Sequence, residues 1–244
     1  MELDARAQLT SEASTFGIEL DDAQTDLLLA HLDLVIEKNK VLNLTRIVDR
    51  SDAVTKHLVD SLLFCVALDK ADCPRGAFLD LGTGAGFPGI PFGIVTQRPG
   101  LLIDSVGKKV AAVQEFIDAL GLSDKLSSRA VRVEVLGKEQ RGQFSCVTAR
   151  AVAELNVLVE YASPLLRRDG VLIASKGKLS DEELSDALYA APLCGMEYVS
   201  RETFELPHDA GHREVAVFRK VGKPQIKLPR AVGAAKHKPL AERA

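Results

Sequence analysis

Residues 78–91 read Phe-Leu-Asp-Leu-Gly-Thr-Gly-Ala-Gly-Phe-Pro-Gly-Ile-Pro, a short apolar run followed by glycines at positions 82, 84, 86 and 89. The apolar run predicts a buried β-strand, and the glycine-rich segment after it predicts a loop that opens a helix. A loop with so few Cβ atoms lets its backbone N–H groups come close to a bulky polar ligand. The segment therefore predicts a nucleotide-type cofactor site.

Two kinds of cofactor use such a loop. Residues 84–89 match G-x-G-x-x-G, the pattern of dinucleotide binding, and Asp104 follows 20 residues after Gly84. However, the strand runs directly into Gly82, which places the tight turn at residues 82–84 and puts Phe87 where a third glycine should pack against the helix. A strand followed by Asp-x-Gly-x-Gly-x-Gly is more similar to the S-adenosylmethionine loop of class I methyltransferases. In both alternatives Asp104 would bind ribose hydroxyls at the end of the second strand.

From residue 77 onward, apolar runs alternate with segments of helical period. The predicted strands are 77–81, 101–104, 126–131, 144–149, 171–175, 196–200 and 213–219, and the predicted helices are 88–96, 107–120, 152–162 and 180–190. This alternation predicts an α/β domain with a doubly wound, mostly parallel sheet. Ligands of such sheets lie beyond the carboxyl ends of the strands, where this chain carries residues 82–87, Asp104, Glu134, Arg150 and Lys176.

The chain before the glycine-rich loop has helical periodicity. Asp21 and Asp22 can cap one helix, and a second helix carries His57 and Asp60 three residues apart, on the same face. We expect residues 1–72 to form an N-terminal helical cap packed on the main domain, residues 73–220. The spacing favours a structural hydrogen bond between His57 and Asp60, which would fix the helix to the loop around Asn43, over direct catalysis.

Charge is divided unevenly along the chain. Residues 221–244 hold six lysines and arginines against one acid, Glu242, which gives a net charge of +5. Because the whole chain has a net charge of −3, residues 1–220 carry −8. This segment has prolines at 224, 229 and 239, few large apolar residues and no helical period. It predicts a basic, extended C-terminal arm suited to a phosphate backbone, with a solubilising tail as an equally favoured alternative.

Composition narrows the class of protein. The chain has 244 residues and 46% hydrophobic content, enough for a full core. Its four cysteines form no C-x-x-C pair and have no metal-ligand spacing with the five histidines, so we expect reduced thiols and no metal site. No stretch approaches the roughly 18 uninterrupted apolar residues of a membrane helix. Together these features predict a cytoplasmic protein without a membrane partner.

Several motifs, in this order, resemble one known family over nearly the whole chain. They are Asn-Lys-x-x-Asn-Leu-Thr at 39–45, His-x-x-Asp-Ser-Leu at 57–62, the glycine-rich segment at 80–91, Asp-Ser-x-Gly-Lys-Lys at 104–109, Ala-Arg-Ala-Val-Ala at 149–153 and Lys-Gly at 176–177. They are similar to RsmG, also called GidB, and the basic tail resembles that of many members. That family methylates guanine N7 in the 530 loop of bacterial 16S ribosomal RNA. The resemblance implies S-adenosylmethionine as the cofactor and 16S RNA or the small ribosomal subunit as the partner.

The resemblance also implies a set of cofactor-binding residues. By motif they are Gly82, Gly84, Gly86, Phe87, Asp104, Val133, Glu134 and Arg150. Gly82 and Phe87 would contact S-adenosylmethionine, and Asp104 would bind its ribose. Residues 133–134 would contact the adenine region, and Arg150 the far side of the pocket.

The end of the third strand has two possible registers. The family pattern there is Arg-Ala-Glu-Glu, whereas this chain has Arg129-Ala-Val-Arg132-Val-Glu134, so either arginine could be the equivalent. We choose Arg132 because residues 136–138 then stay in register with the strand that begins at Phe144.

The residues after the fourth strand narrow the type of methylation. Exocyclic amine methyltransferases usually have Asn/Asp-Pro-Pro-Tyr there, whereas this chain has Ala149-Arg150-Ala151. Methylation of pyrimidine C5 needs a cysteine nucleophile, but Cys146 lies within the predicted strand. Guanine N7 carries no proton, so alignment is sufficient and no general base is expected. Arg150 and Lys176 are therefore candidates for guanine or phosphate contacts rather than proton carriers.

Three hypotheses follow. The ordered motifs favour an RNA guanine-N7 methyltransferase. The literal G-x-G-x-x-G supports a nicotinamide-dependent oxidoreductase, which the register of the loop opposes. The third hypothesis is a non-catalytic RNA-binding protein on the same fold, acting through its tail.

Overall fold

The computed structural model describes residues 4–241 and begins with a group of helices. They are α1 (Ala5–Ser14), α2 (Asp22–Asn39), α3 (Arg50–Ala53), a π-helical segment (Val54–Val59) and α4 (Asp60–Lys70). Asp21 caps α2, because its carboxylate accepts the Gln24 N–H at 2.7 Å while the Gln24 side chain accepts the Asp21 N–H at 3.1 Å. The predicted capping role of Asp21 is confirmed.

A seven-stranded sheet forms the main body of the protein. Its strands are β1 (Phe78–Leu81), β2 (Gly100–Asp104), β3 (Leu126–Ala130), β4 (Phe144–Arg150), β5 (Leu166–Lys176), β6 (Met196–Leu206) and β7 (Gly211–Lys220). The spatial order is β3-β2-β1-β4-β5-β7-β6. The first five strands are parallel, and β7 pairs antiparallel with both β5 and β6. The seven predicted strands and the mostly parallel sheet are confirmed.

The remaining helices connect these strands. They are α5 (Gly89–Thr96), α6 (Gly107–Ala119), α7 (Val133–Glu139), α8 (Leu155–Ala162), α9 (Asp181–Leu193) and α10 (Ala234–His237). Helix α7 is not among the helices expected from the sequence, and its seven residues include Gly137. A short segment with an internal glycine has weak helix propensity, and the burial of Val133 and Leu136 in the core stabilises it instead.

Helices cover both faces of the sheet. On one face α1, α2, α4, α5 and α6 share a single apolar core, with Leu28, Leu62 and Phe92 among its fully buried residues. On the other face α7, α8 and α9 form a second core. This is the doubly wound arrangement that the sequence predicted, and the N-terminal helices pack on one of its layers.

The C-terminal segment packs against the second core. Leu228 and Ala235 are buried there, and the Arg141 guanidinium donates to the Leu228 carbonyl at 2.8 Å. The segment also contains the short helix α10, whereas the sequence had predicted an extended arm without helical period. The segment has few apolar residues, but those that are buried in the second core anchor it to the domain. Two residues of the charge count, Glu242 and Arg243, lie outside the described residues, and the domain boundaries at 72/73 and 220/221 stay predictions.

Among the helices of residues 4–241, none combines the length and the apolar content needed to cross a membrane.

Candidate active site

A cavity of about 370 Å³ opens beyond the carboxyl ends of β1, β2 and β4. Its volume falls in the range of small-molecule sites, roughly 300–1,000 Å³. Seven of the eight residues predicted to bind the cofactor line this cavity: Gly82, Gly84, Phe87, Asp104, Val133, Glu134 and Arg150. Gly86 and Lys176 are not part of its wall. The fold therefore brings together residues that are up to 68 positions apart in the sequence.

The glycines of the loop have different roles. Gly82 has φ +73°, and a Cβ on it would lie 2.6 Å from the Val152 side chain, so only glycine fits. Gly84 has φ +59° and open space beside it at the cavity wall. A Cβ on Gly86 would meet the Ile90 side chain at 2.8 Å. Gly86 therefore allows close packing of the loop on α5 and faces away from the cavity.

Asp104 stands at the end of β2 and is half-buried. Its carboxylate accepts the Val106 N–H at 2.9 Å and the Gly84 N–H at 3.3 Å. Each carboxylate oxygen has a further lone pair, so the side chain is oriented by the backbone and can still accept hydrogen bonds from two hydroxyls. This geometry suits the predicted contact with ribose.

Asp80 lies fully buried beneath the loop. Its carboxylate accepts the Gly89 N–H at 3.0 Å and the Thr148 hydroxyl at 2.8 Å. Burial raises the pKa of Asp80 to about 6, against the opposing effect of the hydrogen bonds from Thr148 and Gly89. A Cβ on Gly89 would lie 2.6 Å from this carboxylate, so the loop depends on the close approach. Asp80 belongs to the glycine-rich motif, but the motif alone does not reveal this role.

Phe87 lies between two histidine rings below the cavity. Its ring stacks on His57 with centroids 4.7 Å apart and contacts His31 at 4.5 Å. The His31 Nε2 donates to the Ala85 carbonyl at 3.1 Å. Burial lowers the pKa of His31 to about 4 and that of His57 to about 3, the latter with the help of the Arg150 charge. Both rings are therefore neutral near pH 7.

The predicted hydrogen bond between His57 and Asp60 is wrong. His57 Nε2 instead pairs with the Thr45 hydroxyl at 2.8 Å. Asp60 accepts hydrogen bonds from Arg150 at 3.0 Å and from Arg213 at 2.9 Å. Two arginines, from β4 and β7, satisfy the carboxylate, and no sequence spacing reveals partners 90 and 153 residues away. The anchoring of the helix to the loop after α2 nevertheless exists, through Thr45.

The two cationic candidates lie in different surroundings. Arg150 lines the cavity, with its guanidinium carbon 5.5 Å from the centroid of the Phe87 ring. Lys176 instead donates to the Ala153 carbonyl at 3.0 Å and pairs with Glu183 at 2.7 Å. Arg150 is therefore placed to contact a ligand, while Lys176 holds the segment that follows β4.

The two arginines at the end of β3 lie in different places, and the choice of register stays a prediction. Arg129 lies within β3 and pairs with Glu139 at 2.7 Å, whereas Arg132 precedes α7 and lines the cavity. Glu134 is 5% exposed, and its carboxylate accepts the Gly233 N–H at 2.8 Å. The C-terminal segment thus orients a residue of the cavity wall.

Sequence reasoning missed some residues of the wall. Lys236, Tyr161 and Lys109 line the cavity, and Lys236 comes from α10 in the C-terminal segment. The basic tail is the available signal, but its composition predicts contact with a phosphate backbone or a solubilising role, not a place in the cavity wall. Throughout residues 4–241, no group of three or more His, Cys, Asp or Glu side chains is arranged to hold a metal ion.

Comparisons with known proteins agree on one family. Residues 24–210 match the family model of GidB, rRNA small subunit methyltransferase G. Ribosomal RNA small subunit methyltransferase G of Staphylococcus saprophyticus is 35% identical over 239 residues, covering 97% of this chain and 99% of that protein. The Acetivibrio thermocellus protein of the same name is 37% identical over 242 residues, covering 98% of both.

Solved structures agree on the fold. A geranyl diphosphate methyltransferase in complex with SAM matches with TM-score 0.52 and 12% identity, covering 70% of this chain and 90% of that one. The [4+2]-cyclase SpnF matches with TM-score 0.53 and 14% identity, covering 67% and 83%. At such identities the likeness establishes the fold alone, and the cyclase shows that this fold does not fix one reaction.

The predictions of family, fold class, enzyme class and dependence on S-adenosylmethionine are confirmed at the level of the family. Family match, near full-length relatives and sheet order all lead to one conclusion: the chain belongs to the rRNA small subunit methyltransferase G family and has the class I methyltransferase fold.

Proposed function

We propose that this protein transfers the methyl group of S-adenosylmethionine to N7 of a guanine in the 530 loop of 16S ribosomal RNA, in the cytoplasm. One observation carries the proposal beyond the family name. The cavity joins a glycine-rich loop and Asp104 on one side to Arg150 on the other, so cofactor and base contacts share one space.

The residues of the cavity fit the cofactor. Gly84 leaves its wall open, and Asp104 keeps lone pairs for the ribose hydroxyls. Residues 133–134 offer an apolar side chain and a carboxylate to the adenine region. Bound there, S-adenosylmethionine supplies an electrophilic methyl group on a sulfonium. No bulky side chain of the loop fills this space: Gly82 and Gly84 have no side chain, and the Phe87 ring is buried between His31 and His57.

The chain's own part in the reaction is alignment. Guanine N7 presents a lone pair without a proton, so no side chain has to remove one. His57 lines the cavity, but its pKa of about 3 makes it a weak base, and its Nε2 is engaged with the Thr45 hydroxyl. Arg150 provides donors for guanine O6 or for a phosphate of the extruded nucleotide. Such alignment contributes up to roughly 7–11 kcal/mol in favourable cases.

Methyl transfer to ribosomal RNA tests the proposal. Purified protein is incubated with methyl-labelled S-adenosylmethionine and either naked 16S RNA or small ribosomal subunits, both from cells that lack the modification. Nuclease digestion and mass spectrometry should then show 7-methylguanosine in the 530 loop. Because a folded Gly84→Val protein should bind the cofactor only weakly, it serves as the matched control.

The same experiment separates the alternatives. A methyl group on another atom or another RNA would contradict the proposal. Binding of NAD in place of S-adenosylmethionine would favour the oxidoreductase, which the packing role of Gly86 opposes. RNA binding without transfer would favour the non-catalytic protein.

A further inference from the structure

Asp60 is shared by two arginines. Its carboxylate is 3% exposed, and its two oxygens are 3.0 Å from Arg150 Nη1 and 2.9 Å from Arg213 Nε. Asp60 begins α4, Arg150 ends β4, and Arg213 lies in β7, so the contact joins the N-terminal helices to two strands. The cluster has one negative and two positive charges, which leaves a net charge of +1 beside the cavity.

The two arginines differ in what else they reach. Arg150 lines the cavity, whereas Arg213 does not and donates instead to the His212 carbonyl at 2.8 Å. Arg150 Nη1 is further held by the Lys56 carbonyl at 3.2 Å. Within residues 4–241, the Nη2 and Nε groups of Arg150 have no hydrogen-bond partner, so they can donate to a ligand. Arg213 therefore acts on a ligand only through Asp60.

The charges around Asp60 indicate how Arg213 affects the orientation of Arg150. With Arg213 present, one oxygen of Asp60 is occupied, and Arg150 is restricted to a single contact with the other. Without Arg213, a buried carboxylate oxygen would lose its partner, which is costly. Arg150 would then turn to satisfy both oxygens in the bidentate geometry that arginine and carboxylate favour. That rotation would engage a second donor of Arg150, which is otherwise open to a ligand.

We propose that Arg213 is a positioning residue for methyl transfer: through the shared carboxylate of Asp60, it keeps the Arg150 guanidinium available to the RNA. This inference rests on the proposed function. It requires that the effect of changing Arg213 depend on Arg150.

A double-mutant cycle tests this dependence. The quantity measured is the single-turnover efficiency of methyl transfer to small ribosomal subunits, for wild type, Arg213→Met, Arg150→Ala and the double variant. Arg213→Met should lower the efficiency about tenfold in the wild-type background, a typical coupling between groups in one network. In the Arg150→Ala background it should lower the efficiency less than about twofold, because the residue that it positions is absent.

A second buried pair provides the control. Arg201 forms an ion pair with Glu214, which is 3% exposed, in the β6–β7 hairpin and outside the cavity wall. Arg201→Met thus breaks a similar pair and should lower the melting temperature without changing the efficiency of transfer. Arg213→Lys keeps the charge but offers no planar fork, so its efficiency should lie between those of wild type and Arg213→Met. The affinity for S-adenosylmethionine should be unchanged in Arg213→Met.

Equal decreases from Arg213→Met in the two backgrounds would overturn the inference, and so would an unchanged efficiency in the wild-type background. An effect of Arg201→Met as large as that of Arg213→Met would also overturn it, since a general decrease in stability would then explain both. Absence of transfer by the wild-type protein would contradict the proposed function instead. The same cycle would in that case be measured as affinity for 16S RNA, where additive effects overturn the inference.

Discussion

Asp80→Asn should change how the stability of the protein depends on pH. Burial raises the pKa of Asp80 from 3.8 to about 6, so the carboxyl group ionises more readily in the unfolded chain. Below pH 3.8 the carboxyl group is protonated in both states, so its ionisation does not change the free energy of unfolding. Between pH 3.8 and about 6 the unfolded chain ionises while the buried acid stays protonated, so stability falls across this window and is constant above it. A difference of about two pKa units corresponds to roughly 3 kcal/mol at pH 7 and above.

Asparagine is a suitable replacement at this position because its amide resembles the protonated acid. Its oxygen can accept the Gly89 N–H, and its amide group can donate to the Thr148 hydroxyl. We therefore expect wild type and Asp80→Asn to unfold with similar free energies near pH 4. The variant should become more stable than wild type by about 3 kcal/mol between pH 4 and pH 7.

Urea unfolding of both proteins at pH 4, 5, 6, 7 and 8 measures this difference. The histidines of lowered pKa are present in both proteins, so their effect cancels. A difference between the two free energies that stays constant from pH 4 to pH 8 would refute the argument. A difference that moves in favour of wild type would show that the hydrogen bonds from Gly89 and Thr148 outweigh the cost of burial.

Three further predictions concern the cofactor, the reaction and the RNA. Gly84→Val should weaken S-adenosylmethionine binding by roughly ten- to a hundredfold in calorimetry, the equivalent of the 1–3 kcal/mol cost of overpacking, and wild-type affinity would contradict the site. The single-turnover rate of methyl transfer should be nearly flat from about pH 6 to 9, because no side chain has to lose a proton there. A tenfold rise per pH unit below pH 7 that disappears in His57→Ala would make His57 a general base. Changing the exposed Lys223, Lys227 and Lys238 to Gln should reduce the salt dependence of RNA binding by up to about 0.9 of slope for each duplex phosphate that these lysines neutralise. An unchanged slope would assign these lysines to solubility.

The sequence predicted the sheet well because its signals are local. Strands β1, β2, β5 and β7 each contain an apolar run. The glycine-rich loop follows β1 directly, so a single stretch locates both the strand end and the cavity. The same reasoning placed Asp104 and Arg150 at that edge, because parallel strands end on one side. Neither inference needs a contact between distant segments.

Contacts between distant segments explain what the sequence analysis missed. Asp60 meets Arg213 across 153 positions, and Gly233 reaches Glu134 across 99. Helix α7 forms because Val133 and Leu136 are buried, which outweighs the low helix propensity of its glycine. The packing of Gly86 against Ile90 and His31 is likewise a tertiary contact. Periodicity and spacing cannot encode such tertiary effects.

The contacts of Phe87 with His31 and His57 link the glycine-rich loop to helix α2 and to the π-helical segment. Helix α2 cannot move away from the domain without parting these rings and breaking the hydrogen bond between His31 and the Ala85 carbonyl. A ligand that holds the loop in place therefore raises the free energy of local unfolding in α2 as well, although no residue of α2 lines the cavity. Amide hydrogen exchange in α2 should therefore be slower when a ligand occupies the cavity than when none does.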